Sequence, residues 1–89
     1  MQSQDICVYI LECRDGSFYT GWTNDIDKRL KAHNAGTASK YTRGRTPVKL
    51  VYFESLTTRE QALSREAQIK KLKKNDKLAL IKANENGRP

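Results

Sequence analysis

The sequence predicts a small α+β domain in which helices flank a three-stranded antiparallel sheet, with elements in the order β-β-α-β-α-α. An apolar run at residues 6–13 is followed, after a turn containing Asp-Gly, by a second β-rich segment at residues 18–22. A third β-rich segment occupies residues 48–54. Helix caps and helical spacing mark residues 25–33, residues 58–73 and a short segment after Asp76. Helices covering both faces of the sheet explain why the first strand is apolar throughout.

The length and charge of the chain limit what it can be. Its 89 residues make one domain, which we expect to span residues 1–82 and to be followed by a flexible tail at residues 83–89. Lysine and arginine number 17 against 10 aspartate and glutamate residues, a net charge of +7. Such an excess indicates either a polyanionic partner, most often nucleic acid, or a basic surface with no partner.

The two cysteines, Cys7 and Cys13, predict reduced thiols in the core. On one continuous strand they lie about 20 Å apart at ~3.3 Å per residue, too far for a disulfide with each other. Reduced thiols are typical of a cytoplasmic protein. No apolar run approaches the length of a membrane span, so we expect no membrane partner.

The turn between the first two strands decides which side chains share a face of the sheet. If Arg14, Asp15 and Gly16 form a three-residue loop, Leu11 opposes Tyr19. Tyr9 and Tyr19 then lie on the same face. A loop of two or four residues would place them on opposite faces, because a slip of one residue reverses every side chain.

The first helix is predicted to follow the second strand directly. Asp25 and Asp27 fall in its first turn, where negative charge is favoured. Ile26 and Leu30 mark its buried stripe, and Arg29 and His33, four residues apart, share one face. The helix should stop at residues 34–36, Asn-Ala-Gly. Tyrosine hydroxyls, an arginine and a histidine thus come together in a way that suits a phosphate.

Two basic segments are candidates for nucleic-acid contact. Residues 37–47 form a predicted loop without an acidic residue, and it carries Lys40, Tyr41, Arg43 and Arg45. A basic loop with an embedded aromatic suits backbone contact and base stacking, although a solvated connector has the same composition. The second segment contains Lys70, Lys71, Lys73, Lys74 and Lys77.

The second helix carries a carboxylate where an apolar residue is expected. Thr57 and Glu60 have the spacing of a capping box at its start. Glu66 projects from the apolar side that should contact the sheet. A carboxylate in that position needs a metal ion, water or a salt bridge. Asn75 and Asp76 then break the helix and recap a short third one with Leu78, Leu80 and Ile81 apolar.

These motifs together resemble the GIY-YIG nucleases, a family named for two strand motifs about ten residues apart. Here the motifs read Cys7-Val8-Tyr9 and Tyr19-Thr20-Gly21, and ten residues separate the two tyrosines. Arg29 lies ten residues past Tyr19, where the family carries a helical arginine. The resemblance covers residues 5–74 and is closest to the small stand-alone, UPF0213-like members. The family's first glycine is Cys7 in this chain.

Three further residues carry the resemblance along the chain. His33, one turn after the arginine, is similar to a histidine of several homing endonucleases in the family. Tyr41 resembles a loop tyrosine of the excision-repair members. Glu66 matches the helical glutamate that holds a divalent metal. Asn75 stands nine residues after Glu66, where it either matches a late asparagine of the family or caps a helix.

The resemblance implies a metal-dependent endonuclease that hydrolyses DNA phosphodiester bonds in repair or recombination. The residues leave open which tyrosine is the general base. The resemblance makes Tyr9 the first choice, with Tyr19 positioning the water or the phosphate. Arg29 would stabilise charge at phosphorus, and His33 would relay a proton or contact the phosphate. Glu66 would hold one Mg²⁺ or Mn²⁺ ion. Neighbouring cations would lower the pKa of the base, which is about 10 for a free tyrosine.

Two other readings of the same pattern remain. The domain can be a nucleic-acid-binding module that has lost useful catalysis, or an accessory partner in a repair assembly. DNA is the expected partner, with RNA as the alternative. Outside the family motifs, Tyr9 and Tyr19 read as core aromatics and Arg29 as an ion-pair partner of Asp25, four residues earlier.

Overall fold

A computed structural model describes residues 6–86 of the chain, with side chains described as far as residue 84. Residues 1–5 and 87–89, where a loose start and the end of a flexible tail were expected, lie outside the described residues. The elements are three strands, β1 (Ile6–Glu12), β2 (Phe18–Thr23) and β3 (Lys49–Leu56), and four helices, α1 (Ile26–Asn34), α2 (Lys40–Arg43), α3 (Arg59–Lys70) and α4 (Lys74–Asn86).

The sheet is antiparallel throughout, in the order β2-β1-β3, as the sequence predicts. Leu11 pairs with Tyr19, and the Cys13 amide donates to the Ser17 carbonyl at 2.8 Å, so the hairpin has the expected three-residue loop. Gly16 has a φ of 85°, the left-handed conformation that this turn requires. The register places Tyr9 opposite Gly21. Tyr9 and Tyr19 therefore share one face of the sheet.

Helices cover both faces, and β1 is buried from both sides. On one face Val8 and Ile10 pack with Ala62 and Ile69 of α3 and with an isoleucine of α4. On the other face Tyr9 and Leu11 pack in a separate cluster with two residues of α1, Ile26 and Leu30. Helices α1 and α3 consequently lie on opposite faces of the sheet. Within the described part of the chain, no helix is long and apolar enough to cross a membrane.

A polar cluster at the α3 face ties β3 to α3. Arg65 donates from Nε to Glu54 Oε1 at 2.8 Å, and the Tyr52 hydroxyl donates to the second carboxylate oxygen of Glu54. Both charged side chains of the pair are partly buried, with exposures of 33% for Arg65 and 23% for Glu54. The pair is a charge-assisted hydrogen bond that links α3 to β3.

The predicted loop at residues 37–47 contains helix α2, which the sequence pattern did not indicate. The Ser39 side chain caps this helix by accepting a hydrogen bond from the Tyr41 amide at 3.0 Å. Thr42, on the inner side of the same helix, is wholly buried. Four residues are too few to show helical periodicity in a sequence.

Two predictions about the later helices were wrong. The capping box of α3 uses Thr58 and Gln61, one residue later than the predicted Thr57 and Glu60, because β3 continues as far as Leu56. Helix α4 is 13 residues long and reaches Asn86, so it is not short, and it includes Asn75 instead of starting after it. At its start the amides of Asp76 and Lys77 both donate to the Lys73 carbonyl, each at 3.0 Å.

Candidate functional site

The site is centred on a buried tyrosine and a buried histidine. Tyr9 lies in the central strand β1 and is 1% exposed, and His33 lies in the last turn of α1 and is wholly buried. The Tyr9 hydroxyl and His33 Nε2 are 2.9 Å apart, a hydrogen-bonding distance. The predicted association of these two residues is therefore present, and it occurs away from solvent.

The other nitrogen of His33 is held by a residue that the sequence analysis missed. His33 Nδ1 lies 2.9 Å from the hydroxyl oxygen of Thr42 in α2. The Thr42 hydroxyl in turn donates to the Ser39 carbonyl at 3.4 Å. A serine cap followed three residues later by a threonine was the available signal, but it identifies a short helix only once the burial of Thr42 is known.

Tyr19 contacts three other rings, those of Tyr9, His33 and Tyr41. Its ring centroid lies 5.0 Å from that of His33, 6.5 Å from that of Tyr9 and 5.9 Å from that of Tyr41, with the last pair stacked. We refer to these four residues as the aromatic cluster. Tyr19 is half-buried, so its ring lies between the buried pair and the more exposed Tyr41.

Arg29 brings positive charge to the buried pair from an exposed position on α1. It lines an open pocket with Thr23 and Asp25 at the junction of β2 and α1. Burial raises the pKa of Tyr9 to about 12, and the Arg29 guanidinium opposes this effect. Arg29 thus lowers the pKa of Tyr9 as expected, but desolvation outweighs this effect and the net shift is upward.

Burial and the charge of Arg29 both shift the pKa of His33 in the same direction. Burial lowers the pKa of His33, and the positive charge of Arg29 lowers it further. His33 is consequently neutral at pH 7, with one ring nitrogen able to accept a proton. A neutral histidine beside a protonated tyrosine is an acceptor next to a donor.

Gly21 leaves the space that the Tyr9 hydroxyl occupies. A Cβ atom built at Gly21 would lie 2.7 Å from the Tyr9 hydroxyl oxygen and 3.2 Å from a ring carbon of Tyr19. Both distances are shorter than ordinary van der Waals contact. The glycine of the second motif is therefore required by close approach of the tyrosine, and its φ is not in the left-handed region.

Within the described part of the chain, the ion pair shown for Glu66 is with Lys70. Glu66 lies on α3, on the face of the sheet opposite α1, and its side chain is 19% exposed. Lys70 Nζ lies 3.4 Å from its carboxylate. Among the described residues no group of three or more histidine, cysteine, aspartate or glutamate side chains is arranged to hold a metal ion. Tyr9, Tyr19 and His33 are therefore brought together beside Arg29, whereas the convergence of Glu66 with them stays a prediction.

The first basic segment lies beside the aromatic cluster. Lys40 and Arg43 are exposed on α2. Arg45 already has partners within the protein. Its Nε lies 3.0 Å from the Asp15 carboxylate, and its Nη1 donates to the Tyr41 carbonyl at 2.7 Å. Its guanidinium also lies 4.0 Å from the centre of the Tyr41 ring. Because Tyr41 already contacts Tyr19 and Arg45, a nucleic-acid base would have to displace one of them to stack on its face.

The second basic segment lies at the same end of the hairpin. Lys74 Nζ is 5.6 Å from the ring centre of Phe18, the first residue of β2, whereas Lys70 is paired with Glu66. Arg45 contacts Asp15 in the turn that precedes Phe18. The two basic segments thus flank one hairpin, which gives them a shared surface for a polyanion.

Comparison with known proteins supports the family indicated by these residues. The family model described as the GIY-YIG catalytic domain matches residues 5–79. A UPF0213 protein of Clostridium perfringens is 64% identical over 74 residues, which are 83% of this chain and 80% of that protein. A UPF0213 protein of Syntrophus aciditrophicus is 55% identical over 78 residues, which are 86% of this chain and 90% of that protein.

Solved structures agree with the sequence matches. The solution NMR structure of a UPF0213 protein from Bacillus halodurans is 44% identical, with a TM-score of 0.58, and the match covers 89% of this chain and 84% of that one. The solution NMR structure of a protein from E. faecalis is 37% identical, with a TM-score of 0.66, and covers 100% of this chain and 96% of that one. The chain therefore belongs to the GIY-YIG family, together with the UPF0213 proteins.

Proposed function

We propose that this protein is an endonuclease that hydrolyses phosphodiester bonds of DNA with the help of a divalent metal ion. One observation carries the proposal: the Tyr9 hydroxyl is hydrogen-bonded to His33 and lies under the influence of Arg29, in a chain of the GIY-YIG family. A general base, a proton acceptor and a cation for a phosphate are the groups that hydrolysis requires.

Arg29 binds and orients the phosphate in this proposal. Its side chain is exposed in an open pocket, and a guanidinium donates two hydrogen bonds to phosphate oxygens. Tyr19 lies between this region and Tyr41, where it can position the phosphate or the attacking water. Negative charge on a bound phosphate also offsets the effect of Arg29 on His33, and so makes that histidine a better proton acceptor.

Tyr9 moves a proton without becoming a free tyrosinate. With a pKa of about 12, ionising Tyr9 alone at pH 7 would cost about 7 kcal/mol, since each pKa unit is about 1.4 kcal/mol. The hydrogen bond to His33 offers a lower route. The tyrosine oxygen accepts a proton from the attacking water while its own proton passes to His33 Nε2. This transfer keeps the tyrosine neutral and leaves the positive charge on the imidazole, next to the anionic phosphate.

Glu66 has the chemistry of a ligand for a hydrated divalent ion. Mg²⁺ is often held by one or two carboxylates, several waters and the substrate's phosphate, and does not need an all-protein cage. A single partly buried carboxylate, with Lys70 as its charged neighbour, fits that donor set. The ion, Mg²⁺ or Mn²⁺, would supply Lewis-acid stabilisation of the phosphate and the leaving group. Lys70 would have to release Glu66 for this to occur.

The ion pair that occupies the Glu66 carboxylate favours one alternative, a binding module without useful catalysis. In both proposals, the exposed cations Lys40 and Arg43 contact the nucleic-acid backbone, and Tyr41, Arg45, Lys70 and Lys74 join them on the surface that flanks the hairpin. A role in DNA repair and a protein partner in a repair assembly are further proposals, and RNA is the alternative substrate.

Cleavage of defined DNA tests the proposal. Purified protein is incubated with plasmid, duplex, branched and single-stranded DNA, with and without Mn²⁺. Tyr9→Phe should reduce cleavage by about 100-fold or more, because it removes a general base. Tyr52→Phe is the matched control, since Tyr52 is also a buried tyrosine but lies on the opposite face of the sheet. Full activity in folded Tyr9→Phe would contradict the mechanism, and salt-sensitive binding without cleavage on all four substrates would favour the binding module.

A further inference from the structure

We propose that Thr42 is a positioning residue that fixes the tautomer of His33, so that the unprotonated nitrogen faces the Tyr9 hydroxyl. The inference rests on the proposed function for its consequence, whereas the tautomer itself can be measured without any activity. It concerns a residue of α2, the helix that the sequence did not indicate.

The direction of the hydrogen bonds follows from counting protons. The Thr42 hydroxyl has one proton, which it donates to the Ser39 carbonyl. With that proton directed at the carbonyl, 3.4 Å away, the hydroxyl oxygen is free to accept from His33 Nδ1 at 2.9 Å. A neutral imidazole carries one N–H group, so the proton is on Nδ1 and Nε2 has the free lone pair. The Tyr9 hydroxyl then donates to Nε2.

The opposite tautomer would reverse every bond in this chain. The proton on Nε2 would point at the Tyr9 oxygen, and Nδ1 would need the hydroxyl proton of Thr42, which would then leave the Ser39 carbonyl. The Ser39 carbonyl would keep the Arg43 amide, which donates to it at 3.1 Å. The Tyr9 proton, however, would lose its acceptor at Nε2 in a buried site, where solvent does not compensate. With Nε2 protonated, the histidine could not accept the proton of Tyr9, and the relay in the proposed mechanism would have no acceptor.

Thr42 acts on the tautomer of His33 together with Tyr9. The Tyr9 oxygen accepts a hydrogen bond from Arg29, which favours donation of the tyrosine's own proton to Nε2. Tyr19 contacts the ring through its aromatic face or edge, at 5.0 Å between centroids. Thr42 is the group on the other side of the ring, and its oxygen accepts the Nδ1 proton that this tautomer carries.

NMR spectroscopy of the full chain tests the assignment directly. His33 is the single histidine of the chain, so its ring ¹⁵N signals need no further assignment. At neutral pH the wild-type protein should show a protonated Nδ1 and an unprotonated Nε2. A protonated Nε2 as the major form would overturn the inference, whatever the activity of the protein.

Variants of Thr42 link the tautomer to function. Thr42→Val keeps the shape but removes the hydroxyl. It should abolish the preference for the Nδ1–H form and lower cleavage by about 10–100-fold, with little change in DNA affinity. Thr42→Ser should retain the tautomer and the activity. A folded Thr42→Val protein that keeps both would contradict the inference; if that variant does not fold, the wild-type and Thr42→Ser spectra decide. Absence of cleavage by the wild-type protein would count against the proposed function, and the spectra would still decide the role of Thr42.

Discussion

The Tyr9 hydroxyl lies 2.9 Å from His33 Nε2, although 24 positions separate the two residues in the chain. The contact joins the centre of the sheet to the end of α1. It depends on the hairpin register, which brings Gly21 opposite Tyr9 and makes room for the tyrosine ring. This hydrogen bond thus depends both on the local turn of the hairpin and on packing between residues that are distant in the sequence.

Gly21→Ala should disrupt this contact without removing any chemical group. The new methyl carbon would lie 2.7 Å from the Tyr9 hydroxyl oxygen and 2.9 Å from the adjacent ring carbon. Relief of such overpacking typically costs about 1–3 kcal/mol of unfolding free energy, and the displaced hydroxyl should lose His33. Chemical denaturation and DNA cleavage are the measurements. Gly44→Ala is the control, since no atom lies within 4 Å of its built Cβ; equal effects of the two substitutions would contradict the steric argument.

Stability should fall on mild acidification because of His33. Its pKa is lowered in the folded protein by burial and then by Arg29, so between that value and the unfolded value of about 6.5 the unfolded chain binds more protons. The melting temperature should therefore decrease as the pH falls below about 6.5. His33→Gln should flatten this dependence, because the chain has no other histidine. A wild-type melting temperature that is constant between about pH 7 and 5 would contradict the prediction.

Glu66 and Glu54 should differ in how much each contributes to the free energy of unfolding. Glu66→Gln removes a partner of Lys70, whose side chain is 54% exposed, so no buried cation is stranded and the expected loss is about 0–1 kcal/mol. Glu54→Gln disturbs the partly buried contact with Arg65 and Tyr52 and should cost about 1–3 kcal/mol. Thermal melting compares the two.

A second comparison on α3, between Glu66→Gln and Glu60→Gln, separates catalysis from folding. Glu66→Gln should lower metal-stimulated cleavage by orders of magnitude while DNA affinity is unchanged or rises, since a negative charge is lost. Glu60→Gln on the same helix, which is exposed, should leave both cleavage and stability unchanged. Full cleavage by a folded Glu66→Gln protein would argue against a metal at this position.

DNA affinity should depend steeply on salt. With about five phosphate contacts on duplex DNA, the logarithm of the binding constant should fall against the logarithm of salt concentration with a slope of about −4.5. Arg43→Gln should reduce the slope by about 0.9, which is one contact. Lys82→Gln, in α4 outside both basic segments, removes the same charge and should leave the slope nearly unchanged. Equal effects of the two variants would indicate that net charge, and not the α2 surface, determines binding.

The sheet and the aromatic pair were predictable because short-range signals determine them. The Asp-Gly turn fixes the hairpin register, and the register places Tyr9 and Tyr19 on one face. The four-residue spacing of Arg29 and His33 then brings both to the same side of α1. Each step needs only the periodicity of a strand or a helix.

The role of Thr42 and the position of Glu66 were not predictable in the same way. Helix α2 has a single turn, and its stability comes from the Ser39 cap and the burial of Thr42, which are tertiary facts. The apolar pattern around Glu66 indicated contact with the sheet but did not show which face α3 covers. The pKa of Tyr9 was misjudged for a related reason: the sequence reveals neighbouring charges but not the depth of burial.

The central position of β1 has a consequence for the order in which the chain can fold during synthesis. It precedes every other described element, yet its ladder pairs Ile6 with Leu56 and Glu12 with Lys49. On the ribosome β1 and β2 emerge first, and an isolated hairpin is at best marginally stable in water. Tyr9 on β1 and His33 on α1 therefore cannot be held rigidly until β3 has left the exit tunnel, so a nascent chain that is released early lacks their hydrogen bond as well as the sheet.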